Sequence, residues 1–389
     1  MSSADGSRAG RRPVAAGRPS GASRLLLDWR AWVGIAISVG LLWYAFRNED
    51  FGAVLAEIRA ADPVLLTLAT VVATFVFWLR AWRWRSILEP VRPGTSFRSR
   101  FAAVNIGFMG NNLLPARAGE FARAYALARA ESIPIVASFS SLVIERLFDG
   151  VFVVGLLFLS LVLPGFPGLG GGGGGPYIAT ARVLGVMVVF GLLLLSALVL
   201  RPRPVVGAIE AVLGRIAPEK LRRPIVDALE AFVAGVSILR KPRLLLVATA
   251  WSAALWLVNA LGFLLALRAF DIQLPFVAAL FLQSCIALAV SVPSAPGFFG
   301  LYEAASEFVL VGLWGQPGAR ALGFALGFHI AAFIPVTLMG LYYAWRLGLS
   351  LSGVAGAEEV VEEAVEEAVE EASQDGGDAD PENRPAGRR

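Results

Sequence analysis

The chain has 389 residues, of which 57% are hydrophobic and only 16% charged, and its mean hydropathy is +0.67. A soluble domain is about half apolar, so the excess calls for lipid as a second solvent. One cysteine, Cys285, and one histidine, His329, leave no disulfide framework or cysteine metal site, and argue against a His-ligated metal or a Ser-His-Asp triad. The pI near 9.6 does not read as nucleic-acid binding, because the bases sit in short loops beside apolar runs, where they act as topology signals.

Residues 1–29 are rich in Arg, Gly, Ser and Pro and read as a disordered, basic cytoplasmic tail. A helix needs about 20 apolar residues to cross a hydrocarbon core of about 30 Å. Stretches at 30–47, 63–83, 135–163, 177–200, 244–268 and 320–346 approach or exceed that length, which predicts about six full spans. Regions 101–130 and 276–314 differ. Each is a short apolar arm, a Pro/Gly break (Pro115…Gly119 and Pro293…Gly297) and a second arm, the pattern of a re-entrant hairpin. Non-helical backbone at that depth survives only when buried in protein or lining a wet cavity.

The basic stretches are 1–30 (six Arg, two acids), 80–100 (six Arg, one Glu) and 201–243 (nine bases, four acids). All three fall on one side if each span crosses once and each hairpin returns to its side of entry. Positive-inside then predicts an inner-membrane, multi-pass protein with both termini cytoplasmic. The halves 30–163 and 177–346 each read span, span, hairpin, span in opposite orientation, an inverted repeat joined by the Gly-rich linker 164–176. In transporters, such paired interruptions point to a binding site near the midplane. The segment 201–243 suits either an amphipathic surface helix or a cytoplasmic helical hairpin. The acidic tail 348–389 repeats Glu-Glu-Ala-Val, with Val361, Val365 and Val369 on one face; it reads as a solvated helix, a disordered stretch or a partner-binding helix.

Ionisable groups in such segments carry the information, because a charge at the bilayer centre costs about 2.5–3.5 kcal/mol even on the lenient insertion scale. Arg117, Glu120 and Arg123 at i, i+3, i+6 are expected on one helix face, either as a site for an anionic headgroup or as interfacial anchors. Glu145, Arg146 and Asp149 form a second cluster, in which Arg146 needs a partner from another helix; Glu120 is the candidate. Asn112 is placed to satisfy backbone freed by the first break. In the second hairpin, Glu303 and Glu307 have no adjacent base, which suits proton coupling, a cationic contact or simple exposure to water. His329 reads as a packed, hydrogen-bonded residue.

Arg80-Ala-Trp-Arg83-Trp, then Asn112-Leu-Leu-Pro-Ala-Arg117-Ala-Gly-Glu120-Phe-Ala-Arg123, then Glu145-Arg146-Leu-Phe-Asp149, then Pro293-Ser-Ala-Pro-Gly-Phe-Phe-Gly-Leu-Tyr-Glu303 occur in this order. Over residues 30–347 this series resembles the flippase-like transmembrane domain of lysylphosphatidylglycerol synthases, in a stand-alone form. The resemblance implies an all-α polytopic membrane protein that moves an anionic phospholipid or polyprenyl-linked lipid across the plasma membrane. It implies Arg80, Arg83, Asn112, Arg117, Glu120, Arg123, Glu145, Arg146, Asp149 and Glu303 as substrate-binding candidates, with no metal and no cofactor. The expected partners are a membrane lipid and a glycosyltransferase or lipid-synthesis enzyme. With no aminoacyl-transfer domain after the last span, the chain is expected not to be an enzyme. The alternatives are a membrane-embedded transferase acting on a lipid-linked sugar or amino acid, and an accessory scaffold subunit.

Overall fold

The computed structural model describes residues 29–90, 92–115, 117–167, 242–292 and 294–377, with isolated positions between 204 and 214. The expected span 177–200, most of the glycine linker and the segment 201–243 lie outside the described residues. The described residues are helical and contain no strand. Helices α1 (Trp29–Phe46), α3 (Pro63–Leu88), α6 (Ile135–Val162), α7 (Pro242–Ala269) and α10 (Gly318–Arg346) fall on five of the six expected spans.

Helices α3, α7 and α10 are long and apolar enough to cross a membrane. Helix α6 has the length, 28 residues, but carries Glu145, Arg146 and Asp149 near its middle, so its polar face must find partners inside the protein. Trp32, Val39, Leu68, Val71, Leu246 and Leu338 stay exposed along α1, α3, α7 and α10, as lipid-facing side chains do. The loop 47–62 holds a helix that composition alone did not predict, α2 (Phe51–Ala60). Its acids are caps: Asp50 accepts from the Gly52 and Ala53 amides at 2.5 and 3.2 Å. Asp62 accepts from Val64 and Leu65 at 2.8 and 3.0 Å, ahead of Pro63 at the first position of α3.

Both breaks are present. The first separates α4 (Phe97–Leu113) from α5 (Gly119–Glu131). Leu114 is extended and Arg117 takes a left-handed φ of 59°, so the chain reverses within five residues, 114–118. The arms then pack almost backbone to backbone. A Cβ on Gly119 would lie 1.9 Å from the Gly107 carbonyl oxygen, which only glycine avoids. The second break separates α8 (Phe276–Ala289) from α9 (Leu301–Leu310), with a 3₁₀ turn at Pro296–Phe298 between them. At 14 and 10 residues these arms rise about 21 and 15 Å, short of a core about 30 Å thick. Gly300 turns the chain at φ 95°, where a Cβ would meet the Ser38 carbonyl oxygen of α1 at 2.4 Å.

Four apolar clusters hold these parts, two of them large. One joins α3 to α4, α5 and α6 through residues such as Trp84, Ile106 and Leu127; the other joins α7, α8 and α10 through Leu267, Phe281 and Phe324. The described part of the acidic tail is helical, with Glu362, Glu363, Glu366 and Glu367 exposed. It forms α11 (Leu351–Ala355) and α12 (Ala357–Gly377). Ala357 and Val361 are buried in the first core, against α5 and α6, and Val365 packs beside them, so the first two valines of the stripe have a partner within this chain.

Candidate functional site

The charges of the first half converge. Glu145 on α6 is fully buried and accepts both guanidinium N–H groups of Arg123 at 2.9 and 2.7 Å. Arg83 Nη2 on α3 lies 3.0 Å from the same carboxylate. Asp149, one turn along α6, receives Arg83 at 2.5 Å and Arg80 at 3.0 Å. Arg83 also donates to Ser252 of α7 at 3.3 Å, and the Arg123 guanidinium lies 4.0 Å over the Trp84 ring. Arg146 contacts Glu120 at 3.5 Å, the inter-helix pair expected from the sequence, and Arg117 approaches Glu120 at 4.0 Å.

One expectation is corrected here. Arg117, Glu120 and Arg123 do not share a helix face, because Arg117 lies in the left-handed turn before α5 begins. Arg123 is buried on Glu145, while Glu120 and Arg117 stay partly exposed. Asn112 does not satisfy the break; its amide donates to Thr337 Oγ1 on α10 at 2.8 Å. Arg117 does reach across. Its Nη1 donates to the Ser291 carbonyl of the second break at 3.1 Å, so the two hairpin tips touch.

Among the described residues, this network joins five guanidinium groups (Arg80, Arg83, Arg117, Arg123, Arg146) to three carboxylates (Glu120, Glu145, Asp149), an excess of two positive charges. Arg117 and Arg146 are the least buried of the five, about a third exposed, so the surplus lies at the edge of the network. A cavity of about 250 Å³ lies between the hairpins. Its walls are mainly aromatic and aliphatic, with Arg80, Asn112, Asn259, Gln283, Tyr302 and His329 as convergent polar groups. Asn259 and Gln283 orient each other: Asn259 Nδ2 donates to Gln283 Oε1 at 2.9 Å, and Gln283 Nε2 to the Trp256 carbonyl at 3.1 Å. A mostly apolar cavity with a few aimed polar groups suits one end of an amphiphile.

At the opposite wall, Glu303 of α9 is buried and has a base after all. Its Oε1 lies 2.7 Å from His329 Nδ1, and its Oε2 accepts from the Gly300 amide at 2.6 Å. Asn259, Gln283 and His329 were not singled out as site residues by the sequence. The first two are ordinary polar residues in apolar runs, and His329 lies 26 positions from its partner Glu303.

The Lysylphosphatidylglycerol synthase TM region family matches residues 31–340, nearly all of the helical body. The chain belongs to this family. It is 28% identical over 354 residues to Glycosyltransferase AglD of Haloferax volcanii, a match covering 84% of this chain and 55% of that protein. A UPF0104 membrane protein of Methanocaldococcus jannaschii is 31% identical over 107 residues, covering 27% of this chain and 31% of that protein. The chain therefore spans about half the length of the first relative and less of the second. The first relative also overturns one expectation. The lack of an aminoacyl-transfer domain had suggested a chain that is not an enzyme, and a family relative named as a glycosyltransferase over 84% of the chain points the other way.

Proposed function

We propose that this family member works on a lipid-linked sugar inside the membrane, holding the lipid phosphate and sugar in the cavity between the hairpins and serving transfer of that sugar. The observation that carries this reading is Arg80, held by Asp149 at 3.0 Å and standing on the wall of the largely apolar cavity between the hairpins. Arg80 is the one member of the network on the cavity wall, and its planar fork suits a phosphate oxygen pair. Asn112, Asn259 and Gln283 offer amides to sugar hydroxyls. The likeness to a protein named as a glycosyltransferase supports a sugar over an amino acid.

A second reading, translocation of the same lipid, is supported by the contact between the hairpin tips at Arg117 and Ser291. In it the inverted halves rock about the cavity, and the basic stretches orient both termini toward the cytoplasm of a plasma-membrane protein. A glycosyltransferase or lipid-synthesis enzyme then supplies or consumes the lipid.

Purified protein, given a polyprenyl-phosphate-linked radiolabelled hexose in a total lipid extract, separates the two. Label moving to a new product in detergent, where no compartments exist, marks transfer. Label changing leaflet only in sealed vesicles marks translocation. If wild type shows neither, or equals Arg80→Ala in both, the assignment of the cavity to this lipid is wrong.

A further inference from the structure

The Glu303–His329 pair does more than fill the cavity wall. The 2.7 Å contact between Glu303 Oε1 and His329 Nδ1 requires a proton between them, held on Nδ1 when the carboxylate is ionised. The carboxylate is otherwise fixed by the Gly300 amide at 2.6 Å. It cannot swing away, because Glu303 is fully buried and Gly300 is pressed against the Ser38 backbone of α1. The imidazole is held between two rings, Phe299 at 4.6 Å and Tyr302 at 4.2 Å between centroids. Its orientation is therefore set. Among the described residues, nothing hydrogen-bonds Nε2, and that nitrogen is not among the sealed, unpartnered polar atoms of the fold. It opens on the cavity, which His329 lines.

The other titratable groups on the cavity wall are Arg80 of α3 and Tyr302 of α9. Helices α4, α7 and α8 present only the amides Asn112, Asn259 and Gln283. Among the described residues, a carboxylate–imidazole pair with a free ring nitrogen thus faces whatever enters, beside the Arg80 guanidinium and the Tyr302 phenol. Without a proton on Nε2 the pair carries one negative charge; with it the pair is neutral. An anion in the cavity meets a repulsive wall in the first state and a hydrogen-bond donor in the second.

We propose that the Glu303–His329 pair is a proton-binding site that links occupancy of the cavity by the phosphodiester of a lipid-linked headgroup to uptake of a proton on His329 Nε2. This rests on the reading of the cavity as the lipid phosphate site and adds its regulation: loading is favoured by protons, and proton loss favours release.

The test is calorimetric titration of the full chain in detergent with dihexanoyl phosphatidylglycerol. This phosphodiester keeps one negative charge between pH 5 and 9, so the probe itself does not titrate. Wild-type affinity is expected to fall as pH rises, by up to about tenfold per pH unit for one linked proton. Titrations in buffers of different ionisation enthalpy are expected to report proton uptake on binding. His329→Gln should bind with no pH dependence and no uptake in this range. Glu303→Gln removes the charge that stabilises the imidazolium, so its fall in affinity should move to lower pH; it carries the test if His329→Gln does not fold. Equal proton uptake with acyl-free glycerophosphoglycerol would assign the site to phosphodiesters in general, and uptake confined to the lipid would assign it to lipid. Wild-type binding without pH dependence, absence of binding by either probe, or unchanged proton uptake in His329→Gln overturns the proposal. Proton-linked binding without sugar transfer or movement leaves the proposal standing and removes only the functional reading above.

Discussion

The two hairpins solve the same problem with opposite chemistry. The first hairpin, α4–α5, brings Arg123 and Arg117 to a network that spreads positive charge over α3, α5 and α6. The second, α8–α9, brings one carboxylate and satisfies it with one imidazole and one amide. The first cannot change its charge within the physiological range, because guanidinium does not deprotonate there. The second carries the imidazole of the proton site proposed above. A permanent pole and a switchable pole thus face each other across one cavity, Arg80 on one wall and His329 on the other.

Substitutions can break this contrast. Glu145→Gln should have the largest effect, because Arg83 and Arg123 both lose a buried counter-charge. Breaking a buried pair costs about 3–5 kcal/mol, to be read as a large drop in the melting temperature of the detergent-purified protein. Next comes Gly119→Ala, whose Cβ collides with the Gly107 carbonyl. Overpacking of this kind costs about 1–3 kcal/mol, and the variant should also open the first hairpin to protease without altering the second. Glu303→Gln leaves one acceptor oxygen where the carboxylate accepts from both His329 and the Gly300 amide, so a cost of about 1–3 kcal/mol is expected from the buried donor left unpaired. A thermal shift as large as that of Glu145→Gln would show that the second pole is also a structural lock. Arg117→Ala, which removes the contact at the partly exposed tips, should cost under about 1 kcal/mol. Its sharper signature is faster hydrogen exchange around Ser291.

Much of this frame was legible in the sequence. Length and apolarity placed α1, α3, α6, α7 and α10, since those depend on composition along one segment. The breaks were legible because proline and glycine act locally. The Glu120–Arg146 pair followed from the direction in which Arg146 projects from α6, although Arg146 also reaches Glu145 and Asp149 of its own helix at 3.3 and 3.5 Å. What escaped depends on inter-helix register. Nothing local says that Arg123 meets Glu145 while Arg80 and Arg83 meet Asp149, or that Glu303 finds His329 on another helix. Helix α2 escaped because Asp50 and Asp62 looked like loop charge and serve as caps. The docking of Val361 escaped because glutamates surround it.

The ion network has a consequence for biosynthesis. Its charged members all lie between Arg80 and Asp149, and only two neutral partners, the Ser252 hydroxyl and the Ser291 carbonyl, come from later in the chain. As the chain leaves the ribosome, every buried arginine of the network can meet its carboxylate before α7 has been made. Glu303 likewise waits only for His329, 26 residues behind it. The buried carboxylates of both clusters can thus find their partners within their own stretch of chain, and the cavity forms last, when α3 and α4 close on α7 to α10.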